Sequence, residues 1–124
     1  MNNNKQLGIC LDHSNALLME LTNNMIISTR IESESVHKAE KDNVDTHEIQ
    51  GKEQHQHQSA YYKRICDIIM NYHEVLLFGQ TDAKNELYNI IKSDYHFNSI
   101  KIDLKNTDKM TEAQMHAFVK EFFN

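Results

Sequence analysis

Apolar residues along this chain fall into continuous and alternating runs, and the two kinds predict different positions in a sheet. Residues 7–11 and 75–78 are continuously apolar, which is typical of strands covered on both faces. Residues 16–21 form a further run, close enough in sequence to the first to pair with it as a hairpin. Residues 25–32 and 100–104 alternate between apolar and polar side chains, as partly exposed strands do. The pattern therefore predicts five strands, two of which are covered on both faces.

The two alternating runs are expected to lie at the edges of the sheet. In the run 25–32, Ile27, Thr29 and Ile31 share one face, which predicts a half-exposed strand. In the run 100–104, apolar residues alternate with Lys101 and Asp103, as on an edge strand. Free edge strands can pair with a second chain, so one alternative hypothesis for the function is a homo-oligomeric interaction module.

Apolar residues at helical spacing predict three helices. The first is expected at about 56–72, the second opens after a turn at 79–82, and the third begins at a capping box at 111–114. Antiparallel hairpins thus come first and a parallel strand-helix-strand unit second, with the two continuously apolar strands side by side. We predict a single α/β domain with a mixed five-stranded sheet of order 3-2-1-4-5 and three helices, in a ribonuclease-H-like topology.

Between the third strand and the first helix, the chain loses its apolar periodicity. From Glu32 to Glu53, seven acidic residues face three lysines. Loops of this length are uncommon in compact domains and are often functional or disordered. We expect a mobile acidic loop over about 33–55 within one domain of 124 residues.

Amino-acid composition and net charge restrict the classes of function that this chain can have. Proline is absent and glycine occurs three times, which favours regular secondary structure. Thirteen basic and eighteen acidic side chains leave a net charge of -5, and this balance disfavours avid binding to nucleic acid. Lys63 and Arg64 form a local basic pair. No run approaches the length of a membrane helix, and Cys10 and Cys66 are typical of reduced core residues, so we expect a cytoplasmic protein without a membrane partner.

Candidate chemistry is sparse. His55 and His57 are two residues apart, which places them on opposite faces of a helix, and no nearby third ligand completes a zinc set. Gly79 opens a turn outside the carboxyl end of an interior strand, where free N–H groups at a helix start can bind an anion. We expect neither a metal nor a cofactor.

Three carboxylates define an alternative function. Asp12 ends the first strand, and Asp67 and Asp82 are the nearest acidic companions. A ribonuclease-H-type nuclease needs several carboxylates that converge on divalent metal ions. The alternative hypothesis is therefore a metal-dependent nuclease or hydrolase that uses Asp12.

Four short stretches carry a family resemblance. They are residues 11–16 at the first turn, His37-Lys38, residues 58–60 at the expected helix start, and residues 75–79. In this layout the chain resembles the middle domain of archaeal and eukaryotic peptide-chain release factors and of the related Pelota protein. It resembles the short bacterial and archaeal release-factor-like proteins more closely still. The resemblance implies a translational-machinery fold and a ribosome or tRNA as partner.

The resemblance also bears on activity. Release factors carry Gly-Gly-Gln before Ser-Ala, and that glutamine positions the hydrolysis of peptidyl-tRNA. Gln58 matches the glutamine, but Gln56 and His57 replace the glycine pair and its backbone freedom. The sequence thus predicts a non-catalytic accessory protein of translational-machinery type. Its predicted contact surface is the loop together with the helix start near Gln58. The predicted binding residues are His57, Gln58, Ser59, Lys63, Arg64 and Gly79.

Overall fold

The structure is a computed structural model that describes residues 5–33 and 47–123, with residues 47–57 described as backbone only. Five strands form one sheet in the order β3-β2-β1-β4-β5. The strands are β1 (Gln6–Leu11), β2 (Asn15–Thr22), β3 (Met25–Glu32), β4 (Glu74–Gly79) and β5 (Lys101–Asn106). β2 pairs antiparallel with β1 and β3, and β4 pairs parallel with β1 and β5.

The described residues contain three α-helices: α1 (His47–Ile69), α2 (Ala83–Lys92) and α3 (Glu112–Phe123), with a short 3-10 turn at Tyr95–Phe97. The prediction of one α/β domain with this strand order and three helices is confirmed. The capping box before α3 is also present, because Thr111 N–H donates to Gln114 Oε1 at 2.8 Å and Gln114 N–H donates to Thr111 Oγ1 at 3.2 Å.

α1 begins at His47, well before the predicted start at residue 56. The segment 47–55 is rich in Glu, Gln and Lys, which are strong helix formers although they carry no apolar stripe. Apolar periodicity alone therefore missed this part of the helix. The predicted loop over about 33–55 is helical from residue 47 onward, and its residues 34–46 lie outside the described residues.

The interior strands β1 and β4 are buried on both faces, as their continuous apolar runs predicted. On one face, Leu7, Ile9 and Leu77 pack beneath α1 and α2. On the other face, Leu76 and Phe78 pack against Val119 of α3. A mixed sheet with helices on both faces buries such strands completely.

β3 lies at one edge and is more exposed than its alternating pattern indicates. Ile31 is buried, but Ile27 on the same face is 60% exposed. α1 reaches the Glu32 end of the strand, where Arg64 Nη1 donates to the Glu32 carbonyl at 3.1 Å. Ile27 lies toward the opposite end, so the alternation indicated the face correctly but not how far the helix covers it.

Gly79 ends β4 at a point where the backbones of β4 and β1 almost touch. Its φ is +146°, a conformation that side chains rarely adopt. A Cβ placed there would lie 2.8 Å from the carbonyl oxygen of Leu11. Gly79 is thus required by the close approach of two backbones, neither of which can move without breaking the sheet.

We predict that Gly79→Ala destabilises the domain by about 2 kcal/mol or more, because both the φ value and the overlap with backbone oppose it. Urea unfolding followed by circular dichroism measures the loss. A decrease below about 0.5 kcal/mol would contradict this reading.

Gly8→Ala is the matched control for this variant. A Cβ at Gly8 overlaps the side chain of Val119 rather than backbone. The cost of Gly8→Ala should therefore fall in a Val119→Ala background, whereas the cost of Gly79→Ala should be the same in both backgrounds.

Candidate functional site

A tight turn after β1 is the centre of the candidate site. The Asp12 carboxylate accepts hydrogen bonds from the N–H groups of Ser14 and Asn15, both at 2.7 Å. The Asp12 N–H donates to the Asn15 carbonyl at 2.9 Å. This is the arrangement in which Asp side chains stabilise turns. The Asp12 carboxylate, which the nuclease hypothesis requires, therefore stabilises the turn of the hairpin.

α1 holds the turn from one side through two side chains. Tyr61 Oη donates to the Asp12 carbonyl at 2.9 Å, and Gln58 Nε2 donates to the His13 carbonyl at 3.1 Å. The Tyr61 side chain is buried, and burial followed by the nearby Asp12 charge raises the pKa of its hydroxyl. The hydroxyl thus remains a donor across the physiological pH range.

α2 contributes a carboxylate to the same assembly. Glu86 Oε1 accepts from Tyr62 Oη at 2.7 Å, and Glu86 Oε2 lies 3.2 Å from His13 Nε2. The hydrogen bond from Tyr62, and secondarily the one from His13, lowers the pKa of Glu86. The β1–β2 turn, α1 and α2 are therefore joined by one polar network.

The predicted contact residues on α1 lie within the helix rather than at its start. Ser59 is exposed, and the Lys63 side chain is 76% exposed with its Nζ 3.5 Å from Asp67 Oδ1. Arg64 is exposed apart from its bond to the Glu32 carbonyl. We call the surface formed by the exposed residues Ser59, Lys63 and Arg64, together with the half-buried Gln58, the α1 surface. The side chain of His57 lies outside the described residues.

The predicted helix start at Gln58 is corrected by the observed start at His47. The family resemblance places the glutamine at a junction between loop and helix. In this chain residues 56 and 57 already have helical backbone, and the Gln58 amide is directed at the chain's own first turn. The helix-forming residues upstream extend α1 through the junction.

Gly79 lies on the other side of the same turn, at a cavity of about 370 Å³. This cavity, which we call the strand-end cavity, lies at the carboxyl ends of β1 and β4 and is bordered by the chain that leads into α3. Its apolar wall includes Cys10, Leu17, Met110 and Met115, and its polar groups include Asp12, Asn15, Gln80 and Thr81. The turn thus separates the cavity from the α1 surface.

Of the residues that border the cavity, the sequence predicted Gly79 but not those that come from segments distant in the chain. Arg30 of β3 and Glu112 of α3 approach within 3.6 Å at the cavity. Nothing in the local sequence pairs these two residues. The signal present in the sequence is the polar segment 107–109 before the capping box, which leads the chain across the strand ends.

The three carboxylates of the alternative hypothesis do not form a metal site within the described part of the chain. Asp12 serves the turn, Asp67 pairs with Lys63, and Asp82 Oδ1 accepts from Asn85 Nδ2 at 3.3 Å. Among the described side chains, no three His, Cys, Asp or Glu residues lie close enough to share an ion.

Both cysteines are unpaired, with Cys66 buried and Cys10 partly buried at the strand-end cavity. Burial, with a smaller contribution from Asp12 at Cys10 and Asp67 at Cys66, raises the pKa of each thiol to about 11. A thiol with such a pKa is protonated at neutral pH and is a poor nucleophile.

Comparison with solved structures identifies the fold. Over 97% of its length the chain superposes on Archaeoglobus fulgidus Pelota with a TM-score of 0.62 and 8% identity. Over 94% it superposes on Thermoplasma acidophilum Pelota with a TM-score of 0.61 and 11% identity. Over 98% it superposes on the archaeal translation termination factor aRF1 with a TM-score of 0.52 and 15% identity.

The chain has a Pelota- and release-factor-like fold. It spans 32% of each Pelota chain and 39% of the aRF1 chain. No protein-family profile and no curated protein sequence matches it. Within the described residues, none of the helices is long and apolar enough to cross a membrane.

We predict that the free energy of unfolding of Tyr62→Phe depends less on acidic pH than that of wild type. The substitution removes the hydrogen bond that most lowers the pKa of Glu86. Because the pKa of Glu86 is lower in the folded state than in the unfolded state, the ionised carboxylate stabilises the fold at pH values above the unfolded-state pKa, ordinarily 4.5 for Glu. This stabilisation is lost as the pH falls through the folded-state pKa. The variant should be about 1 kcal/mol less stable at neutral pH, a figure reduced for the half-exposure of Glu86, and should lose less on acidification.

Urea unfolding at a series of pH values from neutral to acidic measures this difference. Tyr88→Phe is the control, because the Tyr88 hydroxyl lies on α2 but is not a donor to Glu86 in the described structure. Parallel stability curves for wild type and Tyr62→Phe below the ordinary Glu pKa would contradict the assignment.

Proposed function

We propose that this chain is a non-catalytic, cytoplasmic accessory protein of the translational machinery that contacts the ribosome or tRNA through the α1 surface. The observation that carries the proposal is the fold itself. Nearly the whole chain superposes on about a third of two Pelota proteins and of an archaeal translation termination factor. The family resemblance of residues 58–60 and 75–79 supports assigning that third to the middle domain.

The chemistry of the α1 surface supports an RNA contact. The Lys63 side chain is 76% exposed, with its ammonium group 3.5 Å from the exposed Asp67 carboxylate, and Arg64 lies next to it on the same helix. Cations on an exposed helix bind phosphate oxygens and fix the orientation of a protein on nucleic acid. Because the chain carries a net charge of -5, such binding should rest on few contacts and weaken steeply with salt.

Two features favour binding without hydrolysis. Residues 56 and 57 have helical backbone, so the flexible glycine pair of the release factors is replaced by a regular helix. The Gln58 amide donates to the His13 carbonyl at 3.1 Å, which directs it toward the protein rather than toward a substrate. Both features suit a rigid contact surface.

We predict that Lys63→Gln combined with Arg64→Gln weakens association with ribosomes several-fold at low salt. The substitution removes two positive charges from the α1 surface, so the slope of log K against log salt should become shallower by about 1.4 to 1.8. Co-sedimentation of the purified chain with ribosomes over a salt series measures both effects.

The matched control is Lys101→Gln combined with Lys105→Gln, which removes the same charge from exposed positions on β5. This variant should bind as wild type does. Equal weakening in both variants would show that net charge rather than the α1 surface matters. Absence of the wild-type chain from ribosomal and tRNA fractions at low salt would overturn the proposed function.

A further inference from the structure

The strand-end cavity occupies a position where α/β sheets bind ligands. It lies outside the carboxyl ends of the parallel strands β1 and β4, where crevices form between connections that leave the sheet in different directions. The connection after β4 leads to α2 on one face, and the connection after β5 leads to α3 on the other. Thr107 N–H donates to the Gly79 carbonyl at 3.1 Å and fixes the second connection against the first.

One wall of the cavity is apolar and polarisable. It includes the thioethers of Met110 and Met115, with Leu17 and Cys10 beside them. Both methionines pack against the cluster beneath α3 and are only partly buried. Methionine sulfur makes favourable contacts with aromatic rings and adapts to their shape. This wall suits the face of a flat ring.

The neutral polar groups of the cavity include two amides and a hydroxyl. Asn15 and Gln80 each present a side-chain donor and an acceptor. In the described part of the chain neither amide side chain has a protein hydrogen-bond partner, and the adjacent Thr81 hydroxyl accepts from the Ala83 N–H at 3.3 Å. Paired donors and acceptors of this kind match the edge of a nucleobase.

The charges at the cavity disfavour an anion. Asp12, Asp108 and Glu112 border it together with Arg30 and Lys109, an excess of one negative charge. Arg30 already forms an ion pair, because its Nη2 lies 3.6 Å from Glu112 Oε1. A phosphate here would meet more carboxylates than cations. A neutral ring meets no such penalty.

We propose that the strand-end cavity binds a single nucleobase, with the base face on Met110 and Met115 and the base edge at Asn15 and Gln80. A volume of about 370 Å³ lies at the small end of the range of ligand pockets, roughly 300–1,000 Å³. It therefore suits one ring system rather than an extended ligand. The base can belong to a free nucleoside or to an unstacked position in single-stranded RNA. The site is separate from the α1 surface and does not depend on the proposed function.

The test is a titration of the full isotope-labelled chain, followed by backbone amide NMR shifts. Adenosine, guanosine, cytidine and uridine are added separately at millimolar concentrations. At least one nucleoside should give saturable shifts centred on residues 79–81 and 108–112. The corresponding nucleoside monophosphate should bind more weakly than the nucleoside, because its phosphate meets the acidic rim.

Gln80→Ala supplies the matched variant. Gln80 is exposed at the cavity, so its replacement should leave the fold intact and weaken nucleoside binding about fivefold, the equivalent of one hydrogen bond of about 1 kcal/mol. Asn89→Ala removes an exposed amide from α2 away from the cavity and should leave the affinity unchanged.

A short single-stranded RNA distinguishes the two sources of the base. Tighter binding of the RNA than of the nucleoside, with the same residues shifted, identifies an unstacked RNA base as the ligand. Equal or weaker binding of the RNA identifies a free nucleoside. The proposal is overturned if no nucleoside gives saturable shifts, if the shifts lie elsewhere, or if the monophosphate binds more tightly than its nucleoside.

Discussion

The parallel pairing of β1 with β4 is the interaction on which the rest of this structure depends. Both strands are buried on both faces, so their side chains form the centre of two separate apolar clusters. Each of the helices α1, α2 and α3 packs on one of these clusters. The two strands approach so closely at Leu11 and Gly79 that only glycine fits at the end of β4. Both candidate sites lie next to this point, one on each side of the turn that follows β1.

The turn after β1 links the ends of the central strands to two helices. Its backbone carbonyls accept from Tyr61 and Gln58 of α1, and His13 reaches Glu86 of α2. A turn held from two helices gives the α1 surface and the strand-end cavity fixed positions relative to the sheet. Rigid elements position binding groups more accurately than loops do. The arrangement therefore suits recognition by preformed surfaces rather than by a moving catalytic loop.

Sequence patterns were informative where burial determines them. The runs around Ile9 and Leu77 are apolar because both faces of their strands are covered, and this fact led directly to the strand order. The start of α1 was missed because residues 47–55 form a helix through intrinsic propensity, which leaves no apolar stripe. The exposure of Ile27 and the approach of Arg30 to Glu112 depend on how far helices reach across the sheet. No local sequence pattern indicates how far a helix extends across the sheet.

We have proposed that the α1 surface makes a rigid, non-catalytic contact with the ribosome or tRNA. Cryo-electron microscopy of the chain bound to ribosomes at low salt tests this most directly. We expect density for the domain with Lys63 and Arg64 against RNA phosphates and with Gln58 still bonded to the His13 carbonyl. The claim would be contradicted if α1 faced solvent in the bound state, or if Gln58 left the turn and reached the peptidyl-tRNA ester.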